Sequence, residues 1–411
     1  MDNYIFYEKI FILNNSEEII KEDSVLIING KINAFGKDAQ NKALQKKIIS
    51  AKSGNKILAP LLVDMHSTLE DPISGFEDNL ISLKKRAKKS GFGTIALIPN
   101  GIDWRDKSEK IPFQINKNDD INIFFWGGFS INDAGKTLSD HEALLKSGVI
   151  GLSSSCFNDF SIIVKGISLI ESNFHPILLN TNKNYSDQRE MILEDIKALQ
   201  AGLRLENNFN CILDIKKILE IKKYFPTQKI IIKNISDINS CNELEKNNAI
   251  FSTVSWWNLV ADTGNLEFND IGWKADPPIG NSYSREYLIN ALENDLIQAI
   301  AVNSLPLNDQ ETFKPTNERR LGISSYELVL PLLWEELISK RKWSISKLWR
   351  HLSFLPSNLL NLPEEKLQLG SKRWIIFDPD KSWINSQTNL GYDSPSNIPK
   401  KNKSIKGKII S

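Results

Sequence analysis

Short apolar runs separated by turn residues open the chain and predict a β-rich start. The segments IFYEKIFIL, SVLIING and KINAFGK are rich in strand-forming residues, and Asn14-Asn15 and Asn29-Gly30 supply turn residues between them. Asparagine and glycine favour the tight turns that join neighbouring antiparallel strands. Residues 1–57 are therefore predicted to form short strands.

From Ile57 the pattern changes to apolar runs that alternate with longer amphipathic stretches. Runs such as ILAPLLVDMH, TIALIPN and KIIIKNIS alternate with helical patterns such as DNLISLKKRAKKS and REYLINALENDL. Roughly eight strand-like segments precede residue 304, which is the number that a (β/α)8 barrel requires. The pattern favours a closed parallel barrel over an open doubly wound sheet. No G-x-G-x-x-G or G-x-x-x-x-G-K-[ST] motif accompanies it, which argues against nucleotide binding.

The last part of the chain returns to strand-like sequence after a helical region. SYELVLPLLWEELISKRKWSISKLWRHL has helical spacing, whereas RWIIFDPD and SIKGKIIS are strand-like. Because chain termini often lie near one another, the two β-rich ends are expected to pair. The predicted organisation is α/β, with a barrel over 58–364 and a composite β-rich domain from 1–57 and 365–411.

Composition and charge exclude several function classes. In 411 residues, 51 Lys and Arg stand against 50 Asp and Glu, giving a net charge of +1. No overall field therefore attracts nucleic acid or an anionic membrane, and neither is expected as a partner. The three cysteines are scattered, and no signal peptide or membrane span is apparent, so a cytoplasmic location is expected. With only four histidines, a cluster of imidazoles is hard to assemble.

Several motifs resemble those of dihydroorotases and related cyclic amidohydrolases, and they occur in family order. LVDMHSTLEDP at 62–72 is similar to V-D-x-H-x-H-x-R-E-P, and GFGTIALIPN at 91–100 to G-F-T-T-V-x-x-M-P-N. DPP at 276–278 resembles N-P-P, and IQAIAVNSLP at 297–306 resembles I-D-x-I-A-T-D-H-A-P. The resemblance covers nearly the whole chain. It implies a TIM barrel of the metal-dependent hydrolase type with a small composite β-sandwich domain from both termini.

The resemblance also implies a metal site, which this chain carries in degenerate form. Family members use divalent metals, a metal-bound hydroxide and a proton-shuttling aspartate. His66 matches the first histidine of H-x-H and is the one ligand retained. Neutral side chains stand at the positions of lost ligands: Thr68, Ser154, Asn180 and Asn234. Asn303 stands at the position of the catalytic aspartate.

These replacements predict that metal-dependent catalysis is lost. Hydroxyls and amides are weak zinc donors, and zinc sites use at least three His, Cys or carboxylate ligands. An amide at Asn303 also lacks a basic lone pair, and losing a general base costs about 10²- to 10⁴-fold in rate. No cofactor is therefore expected, although an active enzyme would need zinc.

The substrate side of the pocket is also altered. Glu70 replaces the family's carboxylate-binding arginine, while Asn100 matches its substrate-binding asparagine and Asp276 its N-P-P asparagine. Trp256-Trp257 replaces a His-His pair and is interpreted as a plug, with an aromatic wall as the alternative. The three asparagines either satisfy one another's hydrogen bonds or bind a polar ligand.

The preferred interpretation is a dihydroorotase-like protein of the pyrimidine-biosynthesis type that is a non-catalytic binding or assembly component. The resemblance implies aspartate transcarbamoylase as the partner to test first, with a homo-oligomer as another possibility. One alternative is an active cyclic amidohydrolase of dihydroorotase, hydantoinase or allantoinase type. Another is a sensor that binds a small polar cyclic ligand.

Overall fold

Two sheets and their connecting helices make up the part of the chain that the computed structural model describes. The described residues are 3–15, 20–69, 76–99, 104–112, 121–154, 160–170, 174–181, 192–193, 205–206, 209–246, 249–267, 270–315, 318–386 and 395–410. The strands are β1 (Tyr4–Ile12), β2 (Lys21–Ile28), β3 (Lys31–Phe35), β4 (Ile57–Ala59), β5 (Leu62–Ser67), β6 (Phe92–Leu97), β7 (Asn122–Gly128), β8 (Gly151–Ser154), β9 (Ile177–Asn180), β10 (Ile192–Leu193), β11 (Leu205–Glu206), β12 (Ile230–Lys233), β13 (Phe251–Ser255), β14 (Ala299–Ala301), β15 (Ile375–Ile384) and β16 (Ser404–Ile409). The α-helices are α1 (Gly36–Gln45), α2 (Phe76–Lys89), α3 (His141–Lys146), α4 (Phe160–Ser168), α5 (Phe209–Tyr224), α6 (Ile238–Glu245), α7 (Trp256–Val260), α8 (Ser282–Glu293), α9 (Asp309–Thr312), α10 (Val329–Leu333), α11 (Ile345–Trp349) and α12 (Leu355–Leu359).

Eight parallel strands form a near-closed barrel in the order β14-β13-β12-β9-β8-β7-β6-β5. At the seam between β5 and β14, the Asp64 carboxylate accepts a hydrogen bond from the Val302 amide at 3.0 Å. The Thr68 amide donates to the Ser304 carbonyl at 2.8 Å just beyond the strand ends. These contacts hold the two outer strands together, and the barrel predicted from the strand-helix alternation is confirmed.

One apolar cluster fills the barrel interior. Apart from Leu359 and Leu360 at the end of α12, its buried members come from seven of the barrel strands or the residues that border them, so they lie inside the ring. The cluster includes Val63, Ala96, Trp126, Leu178, Ile231 and Ala299. Because side chains alternate along a strand, Ile230 and Ile232 instead join the larger core between barrel and helices.

The second sheet has six strands in the order β16-β15-β4-β1-β2-β3 and therefore draws on both ends of the chain. Its pairings are antiparallel except for β1 with β4, which are parallel. Gly91, at the turn before β6, has φ +79°, and a Cβ there would lie 2.7 Å from Ile409 Cδ1. The glycine allows this sheet to approach the barrel closely. The predicted composite β-domain is confirmed as an architecture.

Helical turns cover the amino-terminal end of the barrel. Between α11 and α12 the helix continues as a π-helical segment (Arg350–Phe354), and another (Trp334–Lys340) follows α10. Trp349 Nε1 donates to the Pro60 carbonyl at 3.0 Å, and the Ser353 hydroxyl donates to the Leu61 carbonyl at 2.6 Å. Within the described residues, no helix has the length and apolar character that crossing a bilayer requires.

Candidate functional site

The carboxyl ends of the barrel strands bring together the residues singled out from the sequence. His66 is the second-last residue of β5, Asn234 follows β12, and Asn303 follows β14. All three are buried, with exposed fractions of 0–1%. Asn234 and Asn303 leave their strands with φ of 53° and 47°, a left-handed conformation that asparagine tolerates better than most residues. The left-handed backbone conformation therefore favours asparagine at both positions, independently of any role of its side chain in the site.

The His66 ring is already engaged by protein groups. Its Nε2 atom lies 2.9 Å from the Thr253 hydroxyl. That hydroxyl also accepts a hydrogen bond from the backbone amide of Asn234 at 2.9 Å. Burial, assisted by the charge of Lys233, holds the pKa of His66 well below its usual value of 6.5, and the Asn303 side chain opposes this effect only in part. At neutral pH the ring is uncharged and one nitrogen faces a hydroxyl.

Lys233 is the site residue that sequence analysis missed. It ends β12 two positions after Ile231, so it shares the interior face of that strand. The side chain is buried, and among the described residues its ammonium makes no hydrogen bond or ion pair. Burial lowers the pKa of Lys233, and the charge of Asp276 acts in the opposite direction. The one signal in the sequence is a charged residue that ends an otherwise apolar strand, IIIK.

Thr68, at a lost-ligand position just after β5, and Asn303, at the position of the catalytic aspartate just after β14, make local hydrogen bonds. Thr68 Oγ1 donates to the Ser304 carbonyl at 3.1 Å, while the Ser304 hydroxyl lies 2.6 Å from that of Ser324. Asn303 Nδ2 donates to the Asp276 carbonyl. Protein partners thus engage these groups at the end of the barrel where the family resemblance implies metal ligands.

Asp64, from the V-D-x-H motif, has a structural position. Its carboxylate accepts hydrogen bonds from Ser67 Oγ, from the Val302 amide and from Tyr326 Oη, the last at 2.8 Å. Burial raises the pKa of Asp64 despite these donors. Burial and the neighbouring Asp64 charge raise the pKa of Tyr326 well above 10. The motif aspartate thus secures the barrel seam.

The Trp256-Trp257 pair fills space beside the site. Both indoles are fully buried, with ring centroids 5.2 Å apart and an edge-on arrangement. Ser255 caps the short helix α7 by accepting from the Trp257 amide, and Trp257 Nε1 donates to the Gly272 carbonyl at 2.9 Å. The pair is therefore a plug, as predicted, and does not present an open aromatic wall.

Of the remaining predicted site residues, Ser154, Asn180 and Asp276 belong to the described part of the chain. Ser154 and Asn180 end β8 and β9, on the same end of the barrel as His66, and Asn180 pairs in register with Lys233. Asp276 is partly buried and lies close enough to Lys233 for their charges to interact. Glu70 and Asn100 lie outside the described residues.

The described donors do not fit a zinc site. Among the described residues, no three or more His, Cys, Asp or Glu side chains lie together where they could hold a metal ion. Around His66 the neighbours are a hydroxyl, amides and an ammonium, and only carboxylates, thiolates and imidazoles bind zinc well. An ammonium beside the one imidazole also repels a dication.

Comparison with known proteins finds sequence similarity to dihydroorotases. No protein-family model matches it. It is 27% identical over 403 residues to a probable dihydroorotase-like protein of Synechocystis sp., covering 87% of this chain and 88% of that protein. It is also 27% identical over 395 residues to a dihydroorotase of Elusimicrobium minutum, covering 94% and 90% respectively.

Solved structures share the fold. The L-hydantoinase of Arthrobacter aurescens superposes with a TM-score of 0.73 at 16% identity, over 99% of this chain and 93% of that one. The dihydropyrimidinase of Brevibacillus agri gives 0.71 at 17% identity, over 100% and 93%. These barrels carry the same accessory β-sandwich architecture. The motifs in family order and the sequence similarity to dihydroorotases along most of the chain support membership of the dihydroorotase and cyclic amidohydrolase family.

Proposed function

We propose that this chain is a dihydroorotase-like protein of the pyrimidine-biosynthesis type that works without metal-dependent catalysis, as a binding or assembly component. The observation that carries the proposal is the buried Lys233 ammonium beside His66. A dication bound at His66 would meet this positive charge in a desolvated place, where charge repulsion is strongest. The retained histidine is thus poorly suited to hold a metal.

The proton-transfer chemistry is also unsupported at the described site. Asn303 stands at the position of the catalytic aspartate, and its amide nitrogen already donates to the Asp276 carbonyl. An amide cannot accept a proton at neutral pH, so this residue supplies no general base. Cyclic-amide hydrolysis by the family's route therefore lacks both of its principal groups here.

Metal content and turnover test the proposal together. The full chain would be expressed with supplemented zinc and manganese, freed of loosely bound ions, and analysed for metal per chain. We expect near-zero metal and no hydrolysis of dihydroorotate, hydantoin or allantoin, with an active dihydroorotase assayed in parallel. One metal per chain with turnover that depends on His66 would refute the proposal in favour of an active cyclic amidohydrolase.

The assembly role has its own test. The family resemblance suggests aspartate transcarbamoylase as the partner, in addition to self-association. Analytical ultracentrifugation of the chain, of that enzyme and of their mixture measures both possibilities. A new faster-sedimenting species in the mixture is expected, and unchanged sedimentation of both proteins would count against the partner.

A further inference from the structure

A cavity of about 580 Å³ lies at the amino ends of β13 and β14, beside the last turns of α6 and α8. Ile250 precedes β13 and Gln298 precedes β14, so the cavity is at the end of the barrel opposite to His66. Its volume falls within the range of pockets that hold small organic molecules. None of its described lining residues belongs to the candidate functional site, so a ligand here is additional to any ligand of that site.

The lining combines a buried apolar part with an exposed polar part. Leu244, Ile250 and Ala291 are buried, and Leu296 is partly buried. The exposed part offers carboxylate and amide oxygens, which accept hydrogen bonds; they belong to Glu245, Asn290, Asn294 and Asp295. Such a lining suits a ligand that has both methylene groups and hydrogen-bond donors.

The charge of the exposed part is negative. The Glu245 carboxylate accepts a hydrogen bond from the Tyr287 hydroxyl at 3.2 Å. Lys246 follows it in the chain, but the Lys246 ammonium pairs with Glu243 at 2.7 Å. Asp295 pairs with Arg350 at 3.1 Å, and because both side chains are about half exposed this ion pair is weak.

Two helix ends add to the negative potential. α6 ends at Glu245 and α8 ends at Glu293, and neither of these helices, which lie wholly within the described residues, has a basic residue in its last turn. The carboxyl end of a helix carries a partial negative charge that cationic groups stabilise. Two helix ends and two carboxylates therefore favour a ligand with more than one positive charge.

We propose that this cavity binds a linear aliphatic polyamine. The methylene groups of such a ligand match the apolar part of the lining, and its ammonium groups match the carboxylates of Glu245 and Asp295. An inorganic dication has no methylene groups for the apolar part, and a neutral polyol leaves the Glu245 charge without a cation. The inference goes beyond the proposed function, because the cavity and the candidate functional site lie at opposite ends of the barrel.

Spermidine and triethylene glycol are a matched pair of probes. Both are linear chains with the same number of non-hydrogen atoms, and only spermidine is charged. Isothermal titration calorimetry of the full chain is expected to show one saturable site for spermidine and none for triethylene glycol. Glu245→Gln keeps the shape of the side chain, removes its charge and is expected to weaken spermidine binding about 10-fold.

Glu293→Gln is the control for general charge attraction. It makes the same charge change at an exposed carboxylate that pairs with Lys347 and does not line the cavity, so it should bind spermidine as the parent does. Asn290→Trp fills the cavity from an exposed position on α8 and is expected to abolish binding. Circular dichroism checks that each variant is folded.

Three results would each overturn the polyamine site. The first is spermidine binding no tighter than that of triethylene glycol. The second is an equal loss of binding in Glu245→Gln and Glu293→Gln, which indicates diffuse charge attraction only. The third is undiminished binding in folded Asn290→Trp. Metal content and turnover decide the proposed function separately, because they report on the opposite end of the barrel.

Discussion

His351 is expected to make the protein sensitive to mild acid. The ring is fully buried, and its Nδ1 atom lies 2.9 Å from the Gln298 carbonyl. Burial, with the charges of Arg350 and Lys347, lowers the pKa of His351 to about 4 from 6.5, although the Gln298 carbonyl and Asp295 oppose the change. In the unfolded chain the ring takes up a proton near pH 6.5, while in the folded chain it stays neutral until about pH 4.

The sign and size of the effect follow from those two values. The stabilisation from a neutral His351 is complete above pH 6.5 and is lost as the pH falls toward 4, because the unfolded state binds the proton first. At about 1.4 kcal/mol per pH unit, the loss amounts to about 3 kcal/mol. His351→Asn keeps an N–H donor for the Gln298 carbonyl and removes the titration.

Urea unfolding at several pH values between 7 and 4 measures this loss. The free energy of unfolding of the parent should fall more steeply than that of His351→Asn, and the gap between them should close by about 3 kcal/mol. Parallel curves for the parent and His351→Asn would refute the reasoning.

Three further substitutions test the described contacts. Lys233→Met should raise the free energy of unfolding at pH 7, because it removes a buried charge. This gain in stability over the parent should shrink as the pH rises toward 10.5, where the parent lysine loses its proton in the folded and the unfolded state alike. Urea unfolding at several pH values measures both effects. Tyr326→Phe removes the 2.8 Å hydrogen bond to Asp64 and should cost about 1–3 kcal/mol in urea unfolding, whereas exposed Tyr224→Phe should cost nothing measurable. Trp257→Ala should lower stability by about 3–5 kcal/mol in the same assay, and a near-zero loss would contradict its role as a plug.

The barrel could be predicted because its signal is local and repeated. Each strand is a short apolar run and each outer helix an amphipathic one, so the alternation survives without knowledge of tertiary contacts. The terminal sheet was predictable for a similar reason, since strand-like sequence stands at both ends. The two tryptophans were also interpreted correctly, because large aromatic side chains seldom stay exposed.

The candidate site was only partly predictable. The motifs led to His66 and Asn303, and the structure places His66 near the end of β5 and Asn303 just after β14, on the two sides of the barrel seam. The place of Lys233 in the site could not be predicted, because it depends on the pleat of β12 and on burial of the side chain. It also depends on the closeness of Lys233 to His66 and Asp276, which lie far away along the chain. The hydrogen bonds of the Thr253 hydroxyl with the His66 ring and the Asn234 backbone amide likewise depend on tertiary geometry.

The terminal sheet has a consequence for biosynthesis. β4 must wait for its partner β15, which the ribosome makes about 300 residues later, or roughly 15–60 s at about 5–20 residues per second. During that interval one edge of β4 and the Leu58 side chain lack their native cover, since Ile376 and Trp374 arrive with β15 and the residue before it. The nascent chain therefore exposes an unpaired strand edge until late in translation, which is when chaperones would have most to protect.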